Sequence, residues 1–387
     1  MATQHIVLVP GFFGFVNFGP LVYFAHVREL LEREFQAQNA AVCVHRVRTH
    51  PVSSLRQRAR DLLAELALLP AGEPVHIVGH SSGGLDARLI TSPGVDLGHG
   101  AGDVEAHAAR VRSVTSICTP HRGSPLAGHF VGLIGEPLLR TVSILTALVL
   151  RHGQLPARLA LRFARALVGD LLLPNTPIHL VLDTLEREAA AALEASCATE
   201  DERLSVADFM REVKASPHLI PQLMPPTLDV FNAGVRERPG VRYGCVVARC
   251  PPPGLRTQLR IGGGPYEHAT HAFFQWLWRR SSPIPPDFEL PLESEHAQAL
   301  RAAWGELPRR EDSDGMVPTN SQIHGRIIHA ATADHLDVIG HLDERGHVPP
   351  HHDWIASGSG FGRRHFEAMW RDIASAILDA GDSSPST

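Results

Sequence analysis

The sequence has few cysteines and no strong excess of either charge, and each shortage argues against a class of protein. Five cysteines among 387 residues are too few, and odd in number, for the disulfide framework that stabilises small secreted domains. The 36 basic and 41 acidic residues give a net charge of -5, which provides no basis for binding nucleic acid or an anionic membrane. The basic residues are also spread along the chain, so neither partner is predicted.

Long apolar runs are missing as well. The most apolar stretch, residues 131–150, is interrupted by Glu136, Pro137 and Arg140 and is too broken for a membrane span. The first residues enter a strand pattern at once, without the basic and apolar regions of a signal peptide. We therefore expect no transmembrane segment and a cytoplasmic location for the sequence as written. A secreted protein lacking its leader would give the same pattern.

The cysteines carry two structural expectations. Cys43 and Cys118 fall in strand-like runs, which predicts that both are buried in the core. Cys245 and Cys250 are close enough in sequence to pair, and the sequence leaves that question open.

Short apolar runs alternate with amphipathic segments, and no internal repeat is visible. The predicted strands are 5–9, 41–47, 75–79, 111–118, 241–248 and 325–330. The predicted helices outside the central region are 21–35, 55–69 and 366–378. This alternation favours an α/β fold, a mostly parallel sheet flanked by helices on both faces.

The pattern changes between residues 126 and 234, where strand signals vanish and helix signals take over. Residues 156–168, for example, place arginines on one face and apolar residues on the other. A large helical insertion between strands predicts a cap over the carboxyl edge of the sheet, where open α/β folds hold their sites. We divide the chain into a core, 1–125 and 235–387, and a cap, 126–234. A helical subdomain for packing or dimerisation is the alternative, and the oligomeric state stays open.

Residues 75–84, VHIVGHSSGG, combine a strand pattern with a G-x-S-x-G motif and lead into a helix pattern. This is the context of a nucleophile elbow, in which a tight strand-to-helix turn lifts a serine clear of the sheet. Gly79 and Gly83 leave room for the close approach of the backbone. The motif therefore predicts Ser81 as a nucleophile.

A serine hydroxyl needs a base, and the base needs an orienting acid, which follow in the order Ser, Asp, His in this type of fold. Asp314 is the best acid, because it precedes Gly315 in a loop, and Asp312 is second. His335 is the favoured base because it follows the predicted strand 325–330. The histidines after Asp314 from which it is chosen are His324, His329, His335, His341, His347, His351 and His352.

Two backbone N–H groups are expected to stabilise the oxyanion. One is that of Ser82, after the nucleophile, and the other lies in the loop after the first strand. Phe12, in the Pro10-Gly11-Phe12 segment, is our choice for the second. The aromatic-rich segment 271–278 is interpreted as a helix packed on the core or lining the acyl side of the site.

Six segments in this order resemble the bacterial family I true lipases, an α/β-hydrolase group that includes triacylglycerol lipases. They are HIVLVPGFFGFVN (5–17), VHIVGHSSGGLDAR (75–88), SICTPHRGSPLA (116–127), LDVFNA with RPGVRYG (228–233, 238–244), DSDGMVP (312–318) and DHLD (334–337). The resemblance implies an α/β-hydrolase fold and a mobile lid formed by the helical insertion. It also implies Ser81, Asp314 and His335 as the triad, with Phe12 and Ser82 as oxyanion donors.

The sequence departs from the family at several positions. Pro10-Gly11 stands where the family has His-Gly, and Ser82 where it has Gln or His. Family members often bind structural calcium beside the catalytic histidine, which makes Asp337 a candidate ligand. His341 counts against this site, since it replaces a glutamine and imidazole suits a hard cation poorly. These lipases are normally secreted, whereas no export signal is visible here. The His121-Arg122 pair is interpreted as a structural anchor of its loop and not as a catalytic pair.

The sequence thus predicts a serine carboxylic-ester hydrolase that cleaves small or lipid-like acyl esters, with no cofactor for the chemistry. The apolar insertion favours a lipase acting at a lipid–water interface. A short-chain carboxylesterase, a polyester hydrolase or a transacylase would use the same triad. A non-catalytic hydrolase-fold binding protein is the alternative from another class.

Overall fold

The structure, a computed structural model, describes most of the chain. The described residues are 2–12, 23–49, 52–98, 104–131, 135–152, 155–172, 178–197, 199–200, 203–204, 207, 211, 218–282, 292–344, 346 and 353–381. The start of the predicted helix 21–35, at residues 21–22, lies outside them, as do residues 13–17 of the first lipase-like segment.

The described residues form a six-stranded, wholly parallel sheet with the order β2-β1-β3-β4-β5-β6. Its strands are β1 Gln4–Val9, β2 Val42–Arg46, β3 Val75–His80, β4 Val111–Ile117, β5 Arg242–Arg249 and β6 Arg326–Thr332. Each lies within one or two residues of its predicted position. The predicted parallel sheet is confirmed.

The helices follow the strands or fill the insertion. They are α1 Val27–Ala37, α2 Leu55–Leu68, α3 Ser82–Thr91, α4 Val104–Ala108, α5 Pro125–Phe130, α6 Gly135–His152, α7 Ala157–Leu172, α8 Ile178–Ala195, α9 Leu219–Gln222, α10 Pro225–Gly234, α11 Leu255–Gln258, α12 Pro265–Ser281, α13 Ser294–Trp304 and α14 Arg363–Gly381. Single 3₁₀ turns occur at Thr319–Gln322 and Asp337–Ile339.

Both faces of the sheet are covered. Ile6 and Leu8 pack on the face shared with α1 and α14, whereas Val7 and Val9 pack on the opposite face with α2 and α3. Because successive strand residues point to opposite faces, a strand buried on both faces is apolar at nearly every position. This is why the strands are visible in the sequence as continuous apolar runs.

The insertion is helical and shares its core with the sheet side of the molecule. Helices α5 to α10 occupy it, and apolar residues of α6, α7 and α8 belong to one cluster with Leu85 of α3 and the buried aromatic residues of α12. The rings of Phe163 on α7 and Phe273 on α12 are in contact, with centroids 5.3 Å apart and their planes tilted by 54°. The aromatic segment 271–278 lies within α12 and packs against the helices of the insertion.

The cysteine predictions hold only in part. All five cysteines are free, and Cys118, Cys245 and Cys250 are buried. Cys43 is exposed, so its predicted burial is wrong. The reason is its place on β2, the edge strand, which has a neighbouring strand on one side only. The pairing of Cys245 with Cys250 does not form, because their side chains enter different core clusters. Among the described residues, no helix has both the length and the apolarity of a membrane span.

Candidate active site

The strand-to-helix turn at Ser81 is sharp and strained. β3 ends at His80, α3 begins at Ser82, and Ser81 between them has φ 54° and ψ -129°. A positive φ is unfavourable for a residue with a Cβ atom and persists only where the surroundings impose it. Gly83 allows this turn, since a Cβ atom there would lie 2.3 Å from the carbonyl oxygen of Val9. The local geometry is therefore that of the predicted elbow.

His335 and Asp314 form a buried pair at the carboxyl ends of the strands. The Nδ1 atom of His335 lies 2.7 Å from Oδ2 of Asp314, and both side chains are almost fully buried. The main-chain N–H of His335 also donates to the carbonyl of Asp314 at 3.0 Å. His335 follows β6, as predicted, so the structure brings together two residues separated by the whole of that strand.

The Asp314 carboxylate is held in place by donors on both oxygens. Oδ1 accepts from the main-chain N–H groups of Met316 and Val317 at 2.9 and 2.7 Å. Oδ2 accepts from Nε2 of Gln322 at 3.2 Å, in addition to His335. These contacts fix the orientation of the carboxylate toward His335. Sequence reasoning missed Gln322, which carries no local motif.

Asp312, the second candidate acid, has other partners. Its Oδ2 accepts from Arg249 at 3.1 Å and from the main-chain N–H of Arg309 at 3.0 Å. Asp314, and not Asp312, is thus the carboxylate that contacts His335.

A buried hydrogen-bond network connects the Ser81 turn to the loop that carries His335. His80 Nε2 donates to the carbonyl of His335 at 2.8 Å, and the two rings lie 4.6 Å apart. His80 Nδ1 accepts from the Tyr23 hydroxyl at 2.7 Å, and that hydroxyl accepts from the N–H of Gly11. Burial lowers the pKa of His80 well below its usual value and raises that of Tyr23. His80 therefore stays neutral, as this donor–acceptor pattern requires.

Tyr23 was not found from the sequence, and His80 was overlooked although it lies inside the G-x-S-x-G motif.

No hydrogen bond joins Ser81 Oγ to the His335 ring among the described residues. Such bonds are often long before substrate binds and tighten in the reacting complex. The serine and the histidine are instead brought near each other through His80, which is next to Ser81 in the chain.

The loop after β1 lies against the serine. A Cβ atom on Gly11 would be 2.5 Å from Cβ of Ser81. Arg58 donates from Nη2 to the carbonyl of Pro10 and from Nη1 to that of Gly11, and it forms a fully buried ion pair with Asp86 at 2.7 Å. Phe12 is half-buried in this loop, and Ser82 is buried at the start of α3. Arg58 thus fixes the loop from α2 and α3.

The comparisons with known proteins agree with this architecture. No family model and no curated protein matches the sequence. Among solved structures, a metagenomic carboxyl esterase is 17% identical, with a TM-score of 0.51, covering 98% of this chain and 76% of its own. EstA from Clostridium botulinum is 16% identical, with a TM-score of 0.52 and coverages of 97% and 87%. Lipase 1 from Pelosinus fermentans is 16% identical, with a TM-score of 0.52 and coverages of 99% and 100%.

The chain has an α/β-hydrolase fold. Identities this low establish the fold alone, and the fold predicted from the sequence is confirmed. In an α/β-hydrolase the carboxyl edge of the sheet carries the site, and Ser81, Asp314 and His335 all lie there.

His121, in the loop 119–124 that follows β4, is buried near the carboxyl end of that strand. Its Nε2 lies 3.0 Å from Ser116 Oγ, and its carbonyl accepts from Asn232 Nδ2 at 2.8 Å. Its main-chain N–H donates to Ser321. Burial, together with repulsion by His324 and Arg88, lowers the pKa of His121 well below its usual value. A neutral, fully bonded histidine fits the predicted structural anchor.

Asp337, in the 3₁₀ turn after β6, lies at a polar cavity of about 300 Å³. Asp343 and Asp353 also line the cavity, whereas His341 turns away and bonds the carbonyl of Tyr23 at 3.1 Å. Burial, and then repulsion by Asp334 and Asp353, raises the pKa of Asp337. Arg260 lines the same cavity, and among the described residues Asp337, Asp343 and Asp353 do not form a group whose carboxylate oxygens all lie within 4.8 Å of one another. This arrangement does not fit a calcium ion, which needs several oxygen ligands around one point.

Proposed function

We propose that this α/β-hydrolase is a serine carboxylic-ester hydrolase of the bacterial family I lipase type, with lipid-like acyl esters as substrates. The observation that carries the proposal is the buried His335–Asp314 pair at the carboxyl edge, linked through His80 to the strained Ser81 turn. A strained serine, a neighbouring imidazole and a fully bonded carboxylate are the parts of an activated nucleophile.

In the proposed reaction, Ser81 Oγ attacks the ester carbonyl while Nε2 of His335 takes its proton. Asp314 holds Nδ1 and stabilises the imidazolium. The N–H groups of Phe12 and Ser82 stabilise the tetrahedral oxyanion, and His335 returns the proton to the departing alcohol. Water, activated by His335, then hydrolyses the acyl-Ser81 ester and releases the acid.

The apolar character of the insertion supports lipid-like substrates. An apolar groove of about 800 Å³ lies where α6, α7 and α8 meet the start of α12, with Leu148, Leu155, Ala192 and Tyr266 among its lining residues. A cap with such a surface suits acyl chains, and its movement as a lid would expose the site at an oil–water boundary.

Labelling with a fluorophosphonate tests the nucleophile. We expect the probe to modify Ser81, with loss of labelling in Ser81→Ala and retention in Ser294→Ala, whose serine is exposed at the start of α13. A folded wild-type protein that takes up no probe would contradict the proposal and favour a binding protein.

A chain-length profile tests the substrate class. We expect emulsified long-chain esters to be hydrolysed faster than soluble acetyl or butyryl esters at equal concentration. Faster hydrolysis of the soluble acetyl or butyryl esters would contradict the lipase assignment and indicate a short-chain esterase. Transfer to an added acceptor alcohol in preference to water would indicate a transacylase.

For the calcium ion that the resemblance implies, we propose that the Asp337 cavity is not a binding site. Its three carboxylates, those of Asp337, Asp343 and Asp353, do not converge on one point, and Arg260 adds a positive charge to the lining.

A further inference from the structure

A second group of reactive side chains lies at the opposite edge of the sheet. His5 is near the start of β1, and Cys43 and His45 are two residues apart on β2. His5 pairs with Cys43 in the parallel register, so all three side chains leave the sheet on one face. His5 also pairs with Val75, six residues before Ser81 on β3, which places the group about 20 Å from the proposed nucleophile.

The three side chains point their metal-binding atoms at one another. Nitrogen and sulfur atoms of His5, Cys43 and His45 all lie within 4.8 Å of each other. Nδ1 of His5 is 2.9 Å from Nε2 of His45, and the rings stack with centroids 5.1 Å apart. Two nitrogens on a tetrahedral zinc ion would be about 3.3 Å apart, given Zn–N distances near 2.0 Å. A shift of a few tenths of an ångström would therefore suffice for both to bind one ion.

The fourth member of the group is Glu73, in the turn before β3. Its carboxylate contacts Nε2 of His5, the ring nitrogen that faces away from His45. A metal-binding histidine usually donates its second ring N–H to a carboxylate, which fixes the tautomer and leaves the other nitrogen free to bind. Glu73 thus prepares Nδ1 of His5 as a ligand.

We propose that His5, Cys43 and His45 form a zinc site, binding through Nδ1, Sγ and Nε2 respectively, with Glu73 orienting His5. Two imidazoles and a thiolate are ligands that zinc prefers, and they suit calcium or magnesium poorly. Cys43 is exposed, so the ion enters from solvent and a water molecule completes the tetrahedron. A thiolate and the Glu73 carboxylate balance the two charges of the ion.

The site would tie the edge strand β2 to β1 and to the turn before β3. Its role is therefore structural, since it lies far from the ester-cleaving residues.

Alkylation of Cys43 tests the site in the full-length protein. Because the other four cysteines are buried, iodoacetamide should react first at Cys43 in the folded chain. We expect Zn²⁺ to protect Cys43 in the wild type and Mg²⁺ to have no effect. His45→Gln keeps the thiol but should lose the protection. The control variant is His329→Gln, which removes a histidine of β6 that is paired with Asp372 of α14. It should keep the protection of Cys43 by Zn²⁺. Equal labelling with and without Zn²⁺ would overturn the proposal.

Binding of Co²⁺ identifies the ligands directly. We expect a thiolate-to-cobalt charge-transfer band that is absent in Cys43→Ser. Glu73→Gln should weaken binding by about 10–100-fold, as for other residues that orient a ligand. A second His–Cys–carboxylate cluster among the described residues, Cys118, Asp314 and His335, lies at the proposed catalytic site. A band that survives Cys43→Ser would place the metal there and contradict the proposal. Circular dichroism of each variant confirms that it is folded.

Discussion

At the scale of single residues, the position of Ser81 depends on the absence of a side chain at Gly83. The turn brings the chain so close to the loop after β1 that no side chain fits at Gly83. The strain at Ser81 is thus imposed by backbone packing, which holds the hydroxyl in one place.

Gly83→Ala should therefore destabilise the protein and lower activity. The added Cβ atom would meet main-chain oxygens of Val9 and Pro10 at 2.3 and 2.8 Å, which cannot move without shifting the loop after β1. We expect a loss of about 1–3 kcal/mol in the free energy of unfolding, typical of overpacking. Gly128→Ala is the matched control, since nothing lies within 4 Å of a Cβ atom there. Equal urea unfolding midpoints for the two variants would contradict this prediction, because they would show that the turn at Gly83 has room for a methyl group.

The two neighbouring aspartates allow a test of the acid. Asp314→Asn should lower kcat by about 10⁴-fold, the loss seen when the acid of a serine triad becomes an amide and the histidine tautomer is reversed. Asp312→Asn should leave kcat nearly unchanged, because Asp312 contacts Arg249 and not His335. Steady-state hydrolysis of one soluble ester measures both. A larger loss in Asp312→Asn would reverse our assignment.

At the scale of elements, α2 and α3 are coupled to the loop after β1 by the Arg58–Asp86 pair. Burial raises the pKa of Asp86 to about 6, because desolvation outweighs the attraction to Arg58. Such a pair adds little net stability while both partners are present, but the loss of one leaves an uncompensated charge. The role of the pair is therefore better explained as positioning of the loop after β1, because the Arg58 guanidinium also donates to the carbonyls of Pro10 and Gly11.

Stability and activity should separate in a double variant. Arg58→Met alone should cost about 3–5 kcal/mol, because Asp86 is left buried without a partner. Arg58→Met with Asp86→Leu should regain most of that stability in urea unfolding. The kcat of both variants should stay low, since the loop carbonyls have lost their donor. Arg56→Met, on the exposed side of α2, is the control. Recovery of kcat in the double variant would mean that the loop is positioned without Arg58.

At the scale of the whole molecule, the parallel sheet divides the chemistry between its two edges. The carboxyl edge carries the candidate ester-cleaving residues and the carboxylate cavity at Asp337. The amino edge carries the His5–Cys43–His45 group. A zinc ion bound at the amino edge would stabilise the folded state by mass action, because the unfolded chain does not keep these residues together.

Calcium should leave the melting temperature of the protein unchanged, because the carboxylates at the Asp337 cavity do not converge on one point. Differential scanning calorimetry at increasing Ca²⁺ concentration, with Mg²⁺ as the control ion, measures this. A rise of a few degrees that grows with calcium concentration and is lost in Asp337→Asn would contradict this interpretation.

The local features of the molecule could be read from the sequence. Strands buried on both faces are continuous apolar runs, so their positions were predicted within one or two residues. The Ser81 elbow is a single short segment whose glycines and serine lie together in the chain. The exposure of Cys43 was not predictable, because it depends on β2 lying at the edge of the sheet.

What the sequence alone determined is therefore whatever local backbone geometry requires: the parallel sheet, the helical insertion and the turn at Ser81. Tertiary structure decided the partners. The sequence ranked Asp314 above Asp312 and favoured His335, but only the folded chain shows that these two side chains are in contact. It also adds Tyr23, His80, Gln322 and Arg58, which the sequence did not point to. Contacts between residues far apart in sequence depend on how strands and loops are arranged at the edge of the sheet. A local pattern of residues does not determine that arrangement.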